Sequence, residues 1–176
     1  MVDDAEGAVV VPRYEGRLTR LSCDRRATFL EHLRRIVWEA VEAPGGPRRK
    51  QYVGGPNAAQ ADFAVWACTA CGGDCCSKGG THAYLDDETI ARVARARRIR
   101  SRRSLAALYE VHLPEESHAG SCVFHAAEGC ALPRELRSDL CNRFYCTPLR
   151  RLFQQQENPR GMRIIAQGGR HENNRP

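Results

Sequence analysis

The chain has 176 residues, which is enough for one hydrophobic core without disulfide staples. Its 9 cysteines exceed ordinary usage but are too few for a short secreted disulfide scaffold, and no segment approaches the roughly eighteen apolar residues of a membrane span. The formal net charge of +6 is concentrated in one run of arginines, so the composition does not indicate a protein that is basic throughout.

The N-terminal sequence MVDDAEGAVVVPRYEG is acidic and has only a short apolar run, unlike a signal or transit peptide. We therefore expect a cytoplasmic protein that makes no membrane contact. Thiols stay reduced in that compartment, where a dense cysteine pattern indicates metal binding or catalysis more often than disulfides.

The first third of the chain predicts one helix. Residues 1–22 show no strong hydrophobic period and are interpreted as a tail or edge segment. The apolar residues of TFLEHLRRIVWEAVE recur at three- and four-residue steps, which predicts an amphipathic helix over residues 28–42. The prolines and glycines of PGGPRRKQYVGGPN predict a connecting loop over residues 44–57. We assign residues 1–57 to an N-terminal tail, this helix and a linker.

The stretch WACTACGGDCCSKGG holds four cysteines, Cys68, Cys71, Cys75 and Cys76, which we call the N-terminal quartet. The C-x2-C spacing, followed by two glycines, predicts a tight loop on which two sulfurs converge. Thiolates packed this closely repel one another unless a cation neutralises them, and a bound metal deprotonates thiols outright. The quartet is therefore a strong metal-ligand signal.

The region after the N-terminal quartet is predicted to be helical. Residues 82–85 are interpreted as a short extended piece, and either Asp86 or Asp87 is expected to cap a helix that ends near Arg97. Ser104 is expected to cap a second helix, which the following proline ends.

The C-terminal quartet consists of Cys122, Cys130, Cys141 and Cys146. It is predicted to lie on a second loop, followed by a short helix at TPLRRLFQQQ and a strand at MRIIAQ. We assign residues 58–157 to a cysteine-cluster metal-binding domain and residues 158–176 to a C-terminal strand and polar tail. The fold class is expected to be mostly α, a small irregular α-rich domain with two metal-holding cysteine loops and little β.

The eight cysteines of the two quartets are the candidate metal ligands. Sulfur-only ligation selects zinc or an iron–sulfur cluster over magnesium, calcium or manganese. Side chains of adjacent residues diverge, so Cys75 and Cys76 are expected to serve different metal atoms. Eight cysteines supply two four-sulfur sets, which favours two centres or one multinuclear centre, each set drawing on both quartets. One four-thiolate site with four further thiols remains an alternative.

Other side chains near the quartets are weaker candidates. His82 and His125 could replace a cysteine at zinc, although a surface or capping role is commoner for histidine. Asp74, which lies between the thiols, is a candidate labile ligand or a partner of the ligands, but is by default a turn residue. Cys23 is expected to be inert. Three arginines surround Cys141 and could hydrogen-bond to a thiolate-rich centre or offset its charge: Arg134, Arg137 and Arg143.

The arginine stripe, residues 91–103, contains seven arginines and no acidic residue, and without it the net charge falls from +6 to −1. Such a stripe could neutralise phosphates. No aromatic residue is interleaved to stack on bases, so a solvated helix face is the favoured interpretation.

The segments CTACGGDCC, GGTHAYLDDETIARV and SCVFHAAEGCALPRELRSDLCNRFYC together resemble the bacterial CxxCxxCC cysteine-cluster family, which is described as zinc- or iron-chelating. The resemblance covers about residues 66–146. This chain has three residues, not two, before the paired cysteines. The resemblance implies metal chelation by the eight cysteines and implies no known reaction; the motif is also similar to that of flagellin lysine N-methylases.

The function expected from the sequence is metal binding through a cysteine cluster, with a structural or redox role. One alternative is an iron–sulfur enzyme such as a lysine methylase-like protein-modifying enzyme, although no nucleotide-binding or H-E-x-x-H motif is present. Another alternative is a zinc module that binds nucleic acid through the arginine stripe, although standard zinc-finger spacing is absent. The expected partners are metal ions, a protein partner is left open, and nucleic acid and membrane are not expected.

Overall fold

The computed structural model describes residues 7–42 and 56–168, which are about half helical and contain only short strands. This confirms the mostly α class. The α-helices of these residues are α1 (Cys23–Glu42), α2 (Ala58–Cys71), α3 (Asp87–Arg97), α4 (Arg102–Glu110), α5 (Asp139–Arg143) and α6 (Thr147–Gln155). The strands are β1 (Ala8–Arg13), β2 (Leu18–Arg20), β3 (Glu116–His118), β4 (His125–Ala126), β5 (Gly129–Cys130) and β6 (Arg163–Gly168). Two 3-10 helices span Asp74–Lys78 and Arg134–Leu136. Within these residues, every helix is too short or too polar to cross a membrane.

The chain divides into two compact units, each assembled from separate stretches of sequence. The first unit comprises Met1–Glu15, Gly54–Cys75 and Tyr145–Pro176. The second unit comprises Gly16–Val53 and Cys76–Phe144. One boundary between the units therefore falls between the adjacent residues Cys75 and Cys76.

The first unit packs α2 and α6 against a two-stranded parallel sheet. Strand β1 pairs with β6 in a register that begins at Ala8 opposite Arg163. Val9 and Val11, two residues apart on β1, share one face of the strand and are buried with apolar side chains of both helices. The remaining buried residues of this core are Phe63, Ala64, Ala67, Cys71, Leu149 and Leu152.

Helix α2 is fixed at both ends. Asn57 and Gln60 form a capping box, in which each side chain accepts a hydrogen bond from the other residue's backbone N–H. The buried amide of Gln60 also donates to the carbonyls of Phe153 and Gln156 at the end of α6. Gly72 ends the helix with φ of 68°, a left-handed conformation that glycine adopts without steric cost.

The second unit is built on α1, whose buried residues recur at helical spacing: Phe29, Leu33, Ile36 and Val37. Helices α3 and α4 pack against α1. The segment that contains Cys122 enters the same core, where the ring of Phe124 lies edge-on to Phe29 at a centroid distance of 5.0 Å. The cysteine-bearing segments are thus anchored in the core of this unit.

Several local predictions are confirmed and two are wrong. Asp86 caps α3 as predicted, and α3 ends at Arg97. Helix α4 is capped by Ser101, not by Ser104, because the Ser101 side chain is the one that accepts from a backbone N–H of the first turn. Residues 82–85 form a turn instead of an extended piece, with positive φ at Ala83 and Tyr84.

Other predictions concern the ends of elements. Helix α1 begins at Cys23, five residues before the predicted start, and the predicted tail or edge segment contains β1 and β2. The predicted helix at TPLRRLFQQQ and the predicted strand at MRIIAQ correspond to α6 and β6. Most of the predicted 44–57 loop and the predicted polar tail lie outside the described residues.

Candidate metal centre

The N-terminal quartet does not lie on a single loop. Cys68 and Cys71 belong to the last turn of α2, so the predicted C-x2-C loop is wrong at these two residues. Residues three apart share one face of a helix, and the helix therefore brings these two sulfurs to one side without a turn. The turn comes afterwards, at Gly72 and Gly73, whose φ values of 68° and 91° are both left-handed.

The 3-10 helix Asp74–Lys78 carries Cys75 and Cys76. The unit boundary separates these two residues, so Cys75 belongs to the first unit and Cys76 to the second. The C-terminal quartet is also divided, because Cys146 belongs to the first unit and the other three to the second. Each unit therefore contains four of the eight candidate ligands.

We call the four cysteines of the first unit the first set: Cys68, Cys71, Cys75 and Cys146. Cys71 is buried in the apolar core of this unit, and Cys146 packs against the same core. Cys146 is the N-cap residue of α6, where the helix dipole favours a negative charge. Cys68 and Cys75 are exposed.

The thiols of the first set interact electrostatically. Burial raises the pKa of Cys71, nearby Cys75 and Asp74 raise it further, and hydrogen bonds from backbone N–H groups oppose the shift. One of these bonds runs from the Asp74 N–H to the Cys71 sulfur over 3.4 Å. Burial likewise raises the pKa of Cys146; the Leu149 N–H opposes this shift, while Cys71 and Cys75 add to it. Electrostatic interactions thus connect Cys146 to Cys71 and Cys75, and Cys71 to Cys75.

We call the four cysteines of the second unit the second set: Cys76, Cys122, Cys130 and Cys141. Backbone hydrogen bonds join the segments of Cys76 and Cys122, since the Cys122 N–H donates to the Cys76 carbonyl over 3.0 Å. The Val123 N–H donates to the Gly80 carbonyl over the same distance. These bonds place Cys76 of the N-terminal quartet next to Cys122 of the C-terminal quartet.

Gly79 allows this close approach. A Cβ at this position would lie 2.8 Å from the Cβ and 3.3 Å from the sulfur of Cys122, and 3.3 Å from the carbonyl oxygen of Cys76. The first of these distances is shorter than ordinary van der Waals contact, so any side chain at Gly79 would push the two segments apart.

The other two members of the second set are held by short local structures. Cys130 lies on β5 and pairs with His125 of β4. Cys141 lies in the first turn of α5, where its N–H donates to the side chain of Ser138 over 3.0 Å. Ser138 is itself buried. The N-cap residue thereby fixes the position of Cys141 relative to the core.

The thiols of the second set differ in burial. Cys122 is only 7% exposed, and burial raises its pKa to about 12, with Cys130 and Cys141 adding to the shift and the Phe124 N–H and Arg25 opposing it. Cys76 and Cys130 are half-buried, and Cys141 is exposed. The second set therefore combines one buried thiol, which burial keeps protonated, with three more accessible thiols.

The donor chemistry of both sets fits a thiophilic metal. Four thiolates are the ligand complement of structural zinc and of iron–sulfur clusters. Among residues 7–42 and 56–168, no three histidine, cysteine, aspartate or glutamate side chains already stand in an arrangement that could hold a metal ion.

The candidate histidines are engaged elsewhere. His125 is fully buried, its Nδ1 lies 2.8 Å from the Ser121 hydroxyl, and its ring lies against His118. His82 is exposed, and its Nδ1 accepts a hydrogen bond from the Tyr84 N–H. The described contacts give both histidines packing and hydrogen-bonding roles.

Of the three arginines expected near Cys141, Arg137 has a defined position. Its Nε donates to the Leu132 carbonyl over 2.9 Å, and its Nη2 lies 3.5 Å from the Cys130 carbonyl oxygen. Arg134 and Arg143 are exposed. Cys23 is an exposed residue at the start of α1, outside both sets.

The arginine stripe does not form one uniform solvated face. Arg97 pairs with Glu135 over 2.9 Å, and the Arg102 guanidinium lies 3.8 Å from the ring centroid of Trp38. Arg92, which no sequence motif marks, contacts the segment between Cys130 and Cys141. Its partners lie more than forty residues away in the sequence, so no local pattern could have identified it.

The first unit also contains an open groove of about 510 Å³ beside α2. Its walls include Trp66, which is 72% exposed, and Met162. The charged residues at its edge, Asp62 and Arg160, pair with each other over 3.5 Å. This lining provides no cysteine or histidine, so the metal-ligand chemistry lies in the two cysteine sets.

Comparisons with protein-family models, with curated proteins and with solved structures found no match to this chain.

Proposed function

We propose that the protein binds two thiophilic metal centres, one through each cysteine set. The observation that carries this proposal is the division of the chain between Cys75 and Cys76, which gives each compact unit four candidate cysteine ligands. Adjacent side chains diverge, and separate centres remove the need for both thiolates to reach one ion. The metal is zinc or an iron–sulfur cluster, because both take four thiolates.

The role that this arrangement supports is structural or redox. Each set joins residues far apart in sequence, such as Cys75 and Cys146 in the first unit. A metal bound by such residues contributes its binding free energy to folding, because the unfolded chain has no preformed site. An iron–sulfur cluster would additionally supply one-electron chemistry.

Backbone groups of the first unit would favour the deprotonated thiols that a metal binds. Backbone N–H groups near Cys71 and Cys146 favour their thiolate forms against the effect of burial. Thiols that are protonated in the metal-free protein must release their protons on loading, so metal affinity falls as the pH is lowered.

Anaerobic purification followed by metal and sulfide analysis tests the proposal. We expect two zinc ions per chain, two clusters, or one of each, and the apo-protein should bind two Co²⁺ ions with thiolate-to-metal charge-transfer absorption. A protein that neither retains nor binds a thiophilic metal under reducing conditions would contradict it. Serine substitution of Cys23, the cysteine outside both sets, is the matched control and should leave metal content unchanged.

A further inference from the structure

Arg92 of α3 holds the segment that joins two ligands of the second set. Its Nη1 donates to the Glu135 carbonyl over 2.8 Å, and its Nη2 donates to the Arg137 carbonyl over 2.7 Å. Its Nε lies 2.8 Å from Oδ1 of Asp139 in an ion pair. One guanidinium therefore contacts three positions within five consecutive residues.

These three positions lie between Cys130 and Cys141. The contacted segment includes Ser138, whose side chain caps α5 and accepts from the Cys141 N–H. Asn142 reinforces the same turn, because its side-chain amide donates to the Arg134 carbonyl. The start of α5, and with it the position of Cys141, is thus tied to α3.

Arg137 ties the other end of this segment. Its guanidinium donates to the Leu132 carbonyl and lies within reach of the Cys130 carbonyl, as described above. The backbone carbonyl of Arg137 is in turn an acceptor for Arg92. A continuous chain of contacts therefore runs from α3 through residue 137 to the backbone of Cys130.

Helix α3, which carries Arg92, is packed into the core of the second unit. Its neighbours Ile90 and Val93 are buried in the core of the second unit, and the Arg92 side chain is about one third exposed. Arg95, three residues further along the same helix, is exposed and provides a matched comparison. On the same helix, Arg92 therefore contacts the segment between Cys130 and Cys141, whereas Arg95 is exposed to solvent.

We infer that Arg92 is a positioning residue for the second metal centre, which it serves by fixing the backbone segment between Cys130 and Cys141. This inference rests on the proposed function. Arginine suits the role because its planar fork donates in several fixed directions at once, whereas lysine is a single point donor on a flexible stem. Residues that orient metal ligands typically change metal affinity by about 10- to 100-fold when they are replaced.

The experiment uses the full chain with the first set disabled by Cys68→Ser and Cys146→Ser, so that only the second centre can load. Co²⁺ affinity is measured by competition with a chelator for this background and for the same background with Arg92→Gln, Arg92→Lys or Arg95→Gln. We expect Arg92→Gln to weaken Co²⁺ binding by about tenfold or more and Arg92→Lys to recover only part of that loss. Arg95→Gln should leave the affinity unchanged.

The reciprocal background, with Cys122→Ser and Cys141→Ser, separates positioning from general destabilisation. Arg92→Gln should not change the Co²⁺ affinity of the first centre there, whereas loss of affinity at both centres would overturn the inference. Asp139→Asn removes only the ion pair and should produce a smaller loss at the second centre, which keeps the test informative if Arg92→Gln does not fold. Unchanged Co²⁺ affinity in all Arg92 and Asp139 variants would overturn the inference about Arg92. Absence of Co²⁺ binding in both parent backgrounds would contradict the proposed function instead.

Discussion

The two cysteine sets have the same number of thiols but different surroundings. Two members of the first set, Cys68 and Cys75, are exposed, and the set is organised by the end of one helix and the start of another. The second set contains the buried Cys122, and backbone bonds and arginine contacts hold its segments. The two sets therefore offer the same ligand type, but the thiols of the first set are more accessible to solvent. We expect the first centre to exchange metal faster than the second.

The largest expected effect is that of complete metal removal, which tests whether both sets depend on a metal. Loss of the metal–sulfur bonds should lower the melting temperature and loosen residues 66–146, because metal binding and folding are coupled. Thermal unfolding followed by circular dichroism, with hydrogen exchange on the same samples, measures both changes. A melting temperature that is identical before and after verified metal removal would contradict this expectation.

A substitution at Gly79 should disrupt the second set while sparing the first. Gly79→Ala places a methyl group 2.8 Å from the Cβ of Cys122, so the two segments must separate at a cost of about 1–3 kcal/mol. We expect metal content to fall by one ion or cluster per chain. Ser77→Ala, two residues earlier, is the control. Full metal content in Gly79→Ala would show that the Cys76 and Cys122 segments need not be this close.

The thiols of the two cysteine sets should differ in reactivity in the metal-free protein. Alkylation proceeds through the thiolate, so the exposed Cys68 and Cys75 should react before Cys122, whose pKa is raised by burial to about 12. Mass spectrometry after timed alkylation gives the order. Equal rates at Cys68 and Cys122 in folded protein would contradict the difference in burial.

The same shift predicts how the stability of the metal-free protein depends on pH. Between the ordinary thiol pKa of 9.0 and about 12, the unfolded chain loses the Cys122 proton while the folded chain keeps it. The unfolded state then binds fewer protons, so the free energy of unfolding should fall as the pH rises through this window. Urea titrations at several pH values measure the slope, and Cys122→Ala should make it shallower.

The smallest expected effect is that of neutralising exposed arginines. Replacing Arg95 and Arg98 by glutamine should leave metal content unchanged and alter stability by no more than about 0.5 kcal/mol. Adding Arg102→Gln removes the contact with Trp38 and should cost up to about 1 kcal/mol. Loss of metal or of a measured activity in the double variant would make the exposed part of the stripe a functional site.

Local signals in the sequence predicted several elements correctly. An aspartate followed by acidic residues predicted the start of α3, and the stretch TPLRRLFQQQ was correctly predicted as the short helix α6. The divergence of adjacent side chains predicted that Cys75 and Cys76 would serve different metal atoms. The structure assigns the two residues to different units, and metal binding remains a prediction.

Features that depend on distant residues could not be predicted in this way. Helix α2 is apolar on several sides, including the exposed Val65 and Trp66, so its sequence lacks a clear helical period. Strands β1 and β6 pair across most of the chain, and Arg92 contacts carbonyls that no spacing rule connects to it. Such contacts join residues that are far apart in the sequence and have no local signature.

Paired serine substitutions test whether Cys75 and Cys76 serve different metal centres. Zinc per chain is measured after competition with a chelator that removes zinc from incomplete sites. If each set binds its own zinc, Cys75→Ser/Cys146→Ser and Cys76→Ser/Cys122→Ser should each retain one zinc. The variants Cys75→Ser/Cys122→Ser and Cys76→Ser/Cys146→Ser should retain none. A fully loaded wild-type chain with a single zinc ion, or four double variants with equal zinc content, would contradict the division into two centres.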